Sequence, residues 1–150
     1  MGETKKKTNN SASSNARQAI SGRILVVEDN KNIQDVVSRI LDFMGFEVAL
    51  AGNGVEALAL FLKNSFDLVL TDLEMPLMDG WRLTHCIKER SPNTPVVLMT
   101  AGDRETVRKE VGRGPVDSVI FKPFRLEDLQ RTVEGARASR QGEQGSVGVG

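Results

Sequence analysis

The chain holds one cysteine, Cys86, so no intramolecular disulfide framework can form, and the sequence suits a reducing compartment. No apolar run approaches the ~18–20 residues that a membrane helix needs. Residues 1–22 also lack the apolar stretch of a secretory signal. Neither sign of charge dominates: 20 Lys and Arg balance 20 Asp and Glu. A global basic field, as expected for a nucleic-acid or membrane-surface binder, is therefore missing. The one basic run, Lys5-Lys6-Lys7, sits in a polar stretch and reads as solvated. No internal repeat is visible. These absences predict a cytoplasmic protein with neither nucleic acid nor membrane among its partners. What remains, 39% apolar and 27% charged residues in 150, can bury the core of one ordinary domain.

The two ends cannot contribute to that core. Residues 1–21 are rich in Lys, Asn, Ser and Thr, with no large apolar residue between Met1 and Ile20. Residues 139–150 are dominated by Gly, Ser and Gln. The first is predicted to be a disordered tail and the second a disordered tail or linker, because neither buries enough surface to offset its ordering entropy. The folded unit is expected over 22–138.

Within it, short β-branched or aliphatic runs alternate with helix-like segments. Strands are predicted over 23–27, 47–51, 66–71, 96–99 and 117–121. The first helix starts near Lys31 with Asn30 as its cap, and Ile33, Val36, Val37, Ile40, Leu41 and Met44 recur at three-four spacing until Gly45. A second follows Gly52-Asn53-Gly54 and carries Ala57, Leu58, Leu60 and Phe61. A third, over 80–90, buries Leu83, Cys86 and Ile87 and ends at the breakers Ser91-Pro92-Asn93-Thr94-Pro95. A weakly apolar fourth is expected near 104–111 and a last over 126–138.

Strand–helix alternation of this kind makes a parallel sheet, and open parallel sheets place their sites at the carboxyl edge. Polar groups follow four of the predicted strands: Glu28-Asp29, Asp72, Thr100-Ala101 and Lys122-Pro123. Three carboxylates, a hydroxyl and an ammonium would then meet at one edge, which suits a divalent cation and a phosphoryl group. Mg²⁺ takes oxygen ligands, usually one or two carboxylates with phosphate and water, and Asp29 and Asp72 would supply them. Glu28 would add negative field or hold a metal-bound water. Asp72 could also attack phosphorus directly and form an acyl phosphate. Lys122 would neutralise charge on the transferred group, and Thr100 would hydrogen-bond one of its oxygens.

These residues resemble the receiver domain of two-component response regulators, over roughly 23–138. Glu28-Asp29 matches the family's acidic pair, Asp72 its phosphoacceptor, Thr100-Ala101 its switch hydroxyl and small neighbour, and Lys122-Pro123-Phe124 its closing motif. The stretch Asp72-Leu73-Glu74-Met75-Pro76 through Asp79-Gly80 is among its most specific. The resemblance implies a flavodoxin-like, doubly wound α/β fold with a five-stranded parallel sheet ordered 2-1-3-4-5. It implies a phosphoryl group passed to Asp72 from a histidine kinase or phosphotransfer domain, with an unnamed downstream protein as target. It also implies Mg²⁺ held by Asp29, Asp72 and the main-chain carbonyl of Glu74, with Glu28 acting through water, and a cis Lys122–Pro123 bond. Three positions depart from or tune the pattern. Val119 stands where receivers usually carry Tyr or Phe, so the usual swinging aromatic readout is not expected. Glu74 and Gly102 occupy positions that influence acyl-phosphate lifetime in this family.

Other chemistry-bearing residues have plainer readings. His85 lies on a helix outside any four-helix-bundle context and reads as exposed or packing. Cys86 is a small core residue, and Trp81 a lid over the start of its helix. Two rival functions fit these residues less well. An aspartyl-phosphate phosphatase of the Asp-x-Asp type needs a second carboxylate two residues after its nucleophile near the first strand, whereas Glu74 follows the third. A degenerate receiver, binding partners without phosphorylation, conflicts with the intact Glu28-Asp29, Asp72 and Lys122. The expectation is a signalling receiver that catalyses only its own phosphorylation and dephosphorylation. No output module is recognisable outside the receiver stretch.

Overall fold

The computed structural model describes residues 22–112 and 114–149. Its elements are β1 (Arg23–Val27), α1 (Lys31–Phe43), β2 (Glu47–Ala51), α2 (Gly54–Lys63), β3 (Leu68–Asp72), α3 (Gly80–Arg90), β4 (Val96–Thr100), α4 (Arg104–Val111), β5 (Ser118–Phe121) and α5 (Leu126–Val149). The strands form one sheet in the order β2-β1-β3-β4-β5, and all four pairings are parallel. This is the flavodoxin-like topology that the resemblance implied.

Period-two alternation along each strand divides the core between two faces. Ile24 and Val26 of β1 pack with Leu68, Leu70, Val97, Met99 and Ile120 against Val37 and Leu41 of α1 and Leu129 and Val133 of α5. Leu25, Val27, Val69 and Val96 face Ala57 of α2 and Leu83 and Ile87 of α3. Leu98 meets Val107 of α4 on that same side. Placing α1 opposite α2, α3 and α4 follows from right-handed crossovers: the chain moves one way from β1 to β2 and the other way from β2 through β3 to β5.

Helix starts are set by side-chain caps. Asn30, Asn53, Asp79 and Asp103 each accept the N–H three residues on, at 2.8–3.0 Å. Each such cap contributes on the order of 1 kcal/mol. Two boundaries differ from expectation in a way that matters for the site. β3 includes Asp72 and β4 includes Thr100, because the ladder runs one residue further: Leu73 N–H donates to Met99 at 2.8 Å, and Lys122 N–H to Thr100 at 2.8 Å. The sequence predicts that the last helix ends near Ala138; it instead extends to Val149, and Ala136 is its last buried residue among those up to Ser139 whose burial is described. No proline interrupts it. The predicted tail over 1–21 lies outside the described residues. Among those described, no helix is long and apolar enough to cross a membrane.

Candidate functional site

Asp72 ends a strand whose five residues are all buried, with Met99 of β4 as its register partner. The loop after it must turn sharply so that α3 can begin beneath it. Gly80 permits this: a Cβ there would come within 2.6 Å of the Asp72 carbonyl and 2.9 Å of Leu73 Cα. Within that loop Leu77 adopts a left-handed conformation (φ 73°), unusual for a residue with a branched side chain.

Glu28 follows β1 and is 1% exposed. Its N–H donates to Ala51 at 3.0 Å, and its own carbonyl accepts from Gln34 Nε2 at 2.6 Å. Its carboxylate accepts from Asn30 N–H at 3.1 Å and from Lys122 Nζ at 3.0 Å. Lys122 reaches from the end of β5 and also donates to Asp72 Oδ1 at 3.1 Å. One ammonium therefore joins carboxylates that stand 94 and 50 residues away in the chain. Asp29, adjacent to Glu28, is exposed. Carboxylate oxygens of Glu28, Asp29 and Asp72 lie within 4.8 Å of one another. The Lys122–Pro123 bond is cis.

Burial pushes the Asp72 carboxyl up from 3.8 to about 6; the Lys122 hydrogen bond opposes this, while the Glu28 and Glu74 charges add to it. For Lys122, burial works against the ammonium, but the hydrogen bonds and charges of Glu28 and Asp72 prevail and raise its pKa. At neutral pH Asp72 is thus mostly ionised, Lys122 is protonated, and the carboxylates outnumber the one cation. Three clustered carboxylates with a single ammonium form an oxygen-rich, net-negative site, which fits a hard divalent cation.

Thr100, at the end of β4, has no exposed surface. Its Oγ1 accepts from Gly102 N–H at 2.9 Å and donates to Glu74 Oε2 at 2.8 Å. It does not cap α4; Asp103 does that. All the predicted site residues, Glu28, Asp29, Asp72, Glu74, Thr100 and Lys122, therefore gather at the carboxyl edge. Ala101 lines a neighbouring apolar groove of about 480 Å³ with Ile33, Val36, Pro123 and Phe124.

Two contributors escaped the sequence reading. Gln34 is a buried polar residue whose amide secures the Glu28 backbone. Its spacing to Val37 and Leu41, three and seven residues on, places a polar group on the buried face of α1, and that was a usable signal. Phe121 is the register partner of Thr100, and its ring lies under Arg104 and Arg108 of α4 at 4.4 and 5.8 Å. Val119 packs two residues earlier among Leu98 and Val107, so the aromatic next to Thr100 on β5 is displaced by one pleat, not absent. Among the plainer readings, His85 is exposed, and Trp81 packs half-buried with Leu73 and Leu98.

Residues 24–134 match the response regulator receiver domain family. The regulatory protein AtoC of Escherichia coli K12 is 40% identical over 115 residues, 76% of this chain and 25% of that protein. The chain spans less than half the length of such curated relatives. Among solved structures, the chemotaxis protein CheY4 of Vibrio cholerae superposes with TM-score 0.73 at 29% identity, covering 78% of this chain and 99% of that one. TrrA of Thermotoga maritima, solved in complex with Mg²⁺ and BeF, gives TM-score 0.70 at 32% identity, covering 76% and 97%.

Proposed function

Because the chain belongs to the response regulator receiver domain family, we propose that Asp72 accepts a phosphoryl group from a histidine kinase or phosphotransfer domain and that this changes which protein the domain binds. One observation carries the reading: the Asp72 carboxylate, buried at the sheet's carboxyl edge, is held by Lys122 within 4.8 Å of the Glu28 and Asp29 carboxylates.

An Asp72 oxygen attacks phosphorus, the donor's P–N bond breaks, and its electron pair returns to the imidazole, which takes up a proton. The pKa of about 6 leaves the nucleophile roughly nine-tenths ionised at pH 7. Lys122 stays charged and lies against Asp72, where it neutralises charge gathering on the phosphoryl oxygens. Asp29, Asp72 and the Glu74 main-chain carbonyl would hold Mg²⁺, with Glu28 contributing through water and through its hold on Lys122. Bound there, the ion would supply further charge neutralisation and fix the phosphoryl oxygens for in-line transfer. The apolar groove beside Lys122 offers the donor domain a docking surface next to the nucleophile. We place this module in the cytoplasm, in contact with proteins and not with nucleic acid or membrane itself; output passes through a partner or a further domain. Its only catalysis is on its own acyl phosphate, and we take 22–138 as the receiver unit.

The test is labelling by acetyl phosphate, or occupancy by beryllofluoride, with Mg²⁺. Native protein is expected to respond and Asp72→Asn to be inert. Retained labelling in the variant would remove Asp72 as nucleophile, and rapid multiple turnover of a small phosphomonoester would replace signalling with hydrolysis.

A further inference from the structure

A threonine hydroxyl has one proton to donate. In this structure the Thr100 proton goes to Glu74 Oε2, at 2.8 Å, while the Thr100 oxygen accepts from Gly102 N–H at 2.9 Å. Thr100 is fully buried and Glu74 is exposed, so an outer carboxylate reaches inward to engage a residue of the sheet edge. Gly102 leaves room for this: a Cβ there would stand 3.1 Å from Thr100 Oγ1 and 3.5 Å from Glu74 Oε2. Glu74 also raises the Asp72 pKa through its charge, so the two groups already sense each other.

We infer that Glu74 is a positioning residue that holds the Thr100 hydroxyl in the unphosphorylated state and gives it up when an anionic phosphoryl group forms on Asp72. This rests on the phosphoacceptor reading above. A phosphoryl oxygen on Asp72 and the Glu74 carboxylate compete for one proton, and their like charges repel. Occupancy of one partner therefore weakens the other, and the coupling is reciprocal. Weakening the Glu74–Thr100 bond should tighten binding of a phosphoryl mimic by the equilibrium that the bond opposes. A net hydrogen-bond contribution in the usual range corresponds to roughly a three- to tenfold change in affinity.

The experiment measures Mg²⁺-dependent beryllofluoride affinity of the full chain for native protein, Glu74→Ala and Glu74→Gln, each also combined with Thr100→Val. Glu74→Ala is expected to bind roughly three- to tenfold more tightly. Glu74→Gln should gain less, because its amide oxygen still accepts the hydroxyl proton without charge. In the Thr100→Val background the gain from Glu74→Ala should shrink to the part that like-charge repulsion contributes. A readout without metal or mimic accompanies this: the Thr100 side-chain rotamer, followed by methyl NMR, should be single in native protein and averaged in Glu74→Ala. An equal gain with Val at position 100 would mean that Glu74 acts only as a distant charge, and the latch would be overturned. Native binding with no change in Glu74→Ala, or an unchanged rotamer, would also overturn it while leaving the phosphoacceptor reading in place. If the native chain bound no beryllofluoride, both would fall.

Discussion

Replacing Asp72 with asparagine is expected to stabilise the metal-free protein at neutral pH and to leave it unaffected, or slightly weakened, in mild acid. The fold raises the Asp72 carboxyl from 3.8 to about 6, chiefly by burial, so native structure disfavours its ionised form. A raised folded-state pKa contributes stability that is complete below the unfolded value and lost as pH climbs through the folded one. Between pH 4 and pH 7 the native protein therefore forfeits stability, at about 1.36 kcal/mol per pH unit of displacement, to a ceiling of roughly 3 kcal/mol. Asparagine has no such charge to bury. The hydrogen bond from Lys122, 3.1 Å from the carboxylate, opposes the rise and is already contained in that net displacement, so nothing further is subtracted for it. The net expectation is a variant more stable by ~3 kcal/mol at pH 7.5, with the advantage gone near pH 4. Urea unfolding at half-unit pH steps, with chelator and without phosphate, measures this directly. Other carboxyls are shared by both proteins and cancel in the difference. A difference independent of pH, or native protein gaining on the variant as pH rises, would refute the burial argument.

Further expectations follow from individual contacts. Protons should compete with Mg²⁺ for Asp72, so apparent Mg²⁺ affinity should fall about tenfold per pH unit below ~6 and level off above it; a flat titration, followed by Trp81 fluorescence, would exclude Asp72 from the ion's ligands. Gly80→Ala should cost about 2–3 kcal/mol by denaturant unfolding, since its Cβ would collide with the Asp72 backbone. Gly135→Ala meets nothing within 4 Å on α5 and should instead stabilise by up to ~1 kcal/mol; equal effects from the two would remove the steric account. Phe121→Leu, which takes the ring from beneath Arg104 and Arg108, should speed amide exchange in α4; unchanged protection would show that those arginines do not anchor that helix.

Much of this protein can be read before folding, because hydrophobic period reports which face of each element is buried. The five strands, their parallel run, the cap Asn30, and the arrival of Glu28, Asp29, Asp72, Thr100 and Lys122 at one edge follow from alternation and position alone. Motif resemblance supplied the strand order, which local periodicity does not encode. Tertiary structure decided the pairings. Lys122 bridges Glu28 and Asp72, Gln34 holds the Glu28 carbonyl, Glu74 takes the Thr100 proton, and Phe121 slides under two α4 arginines. Each depends on how far one strand end stands from another and which way a side chain turns there. Those distances are set by the packing of helices on both sheet faces, and a linear pattern of apolar and polar residues carries no measure of them.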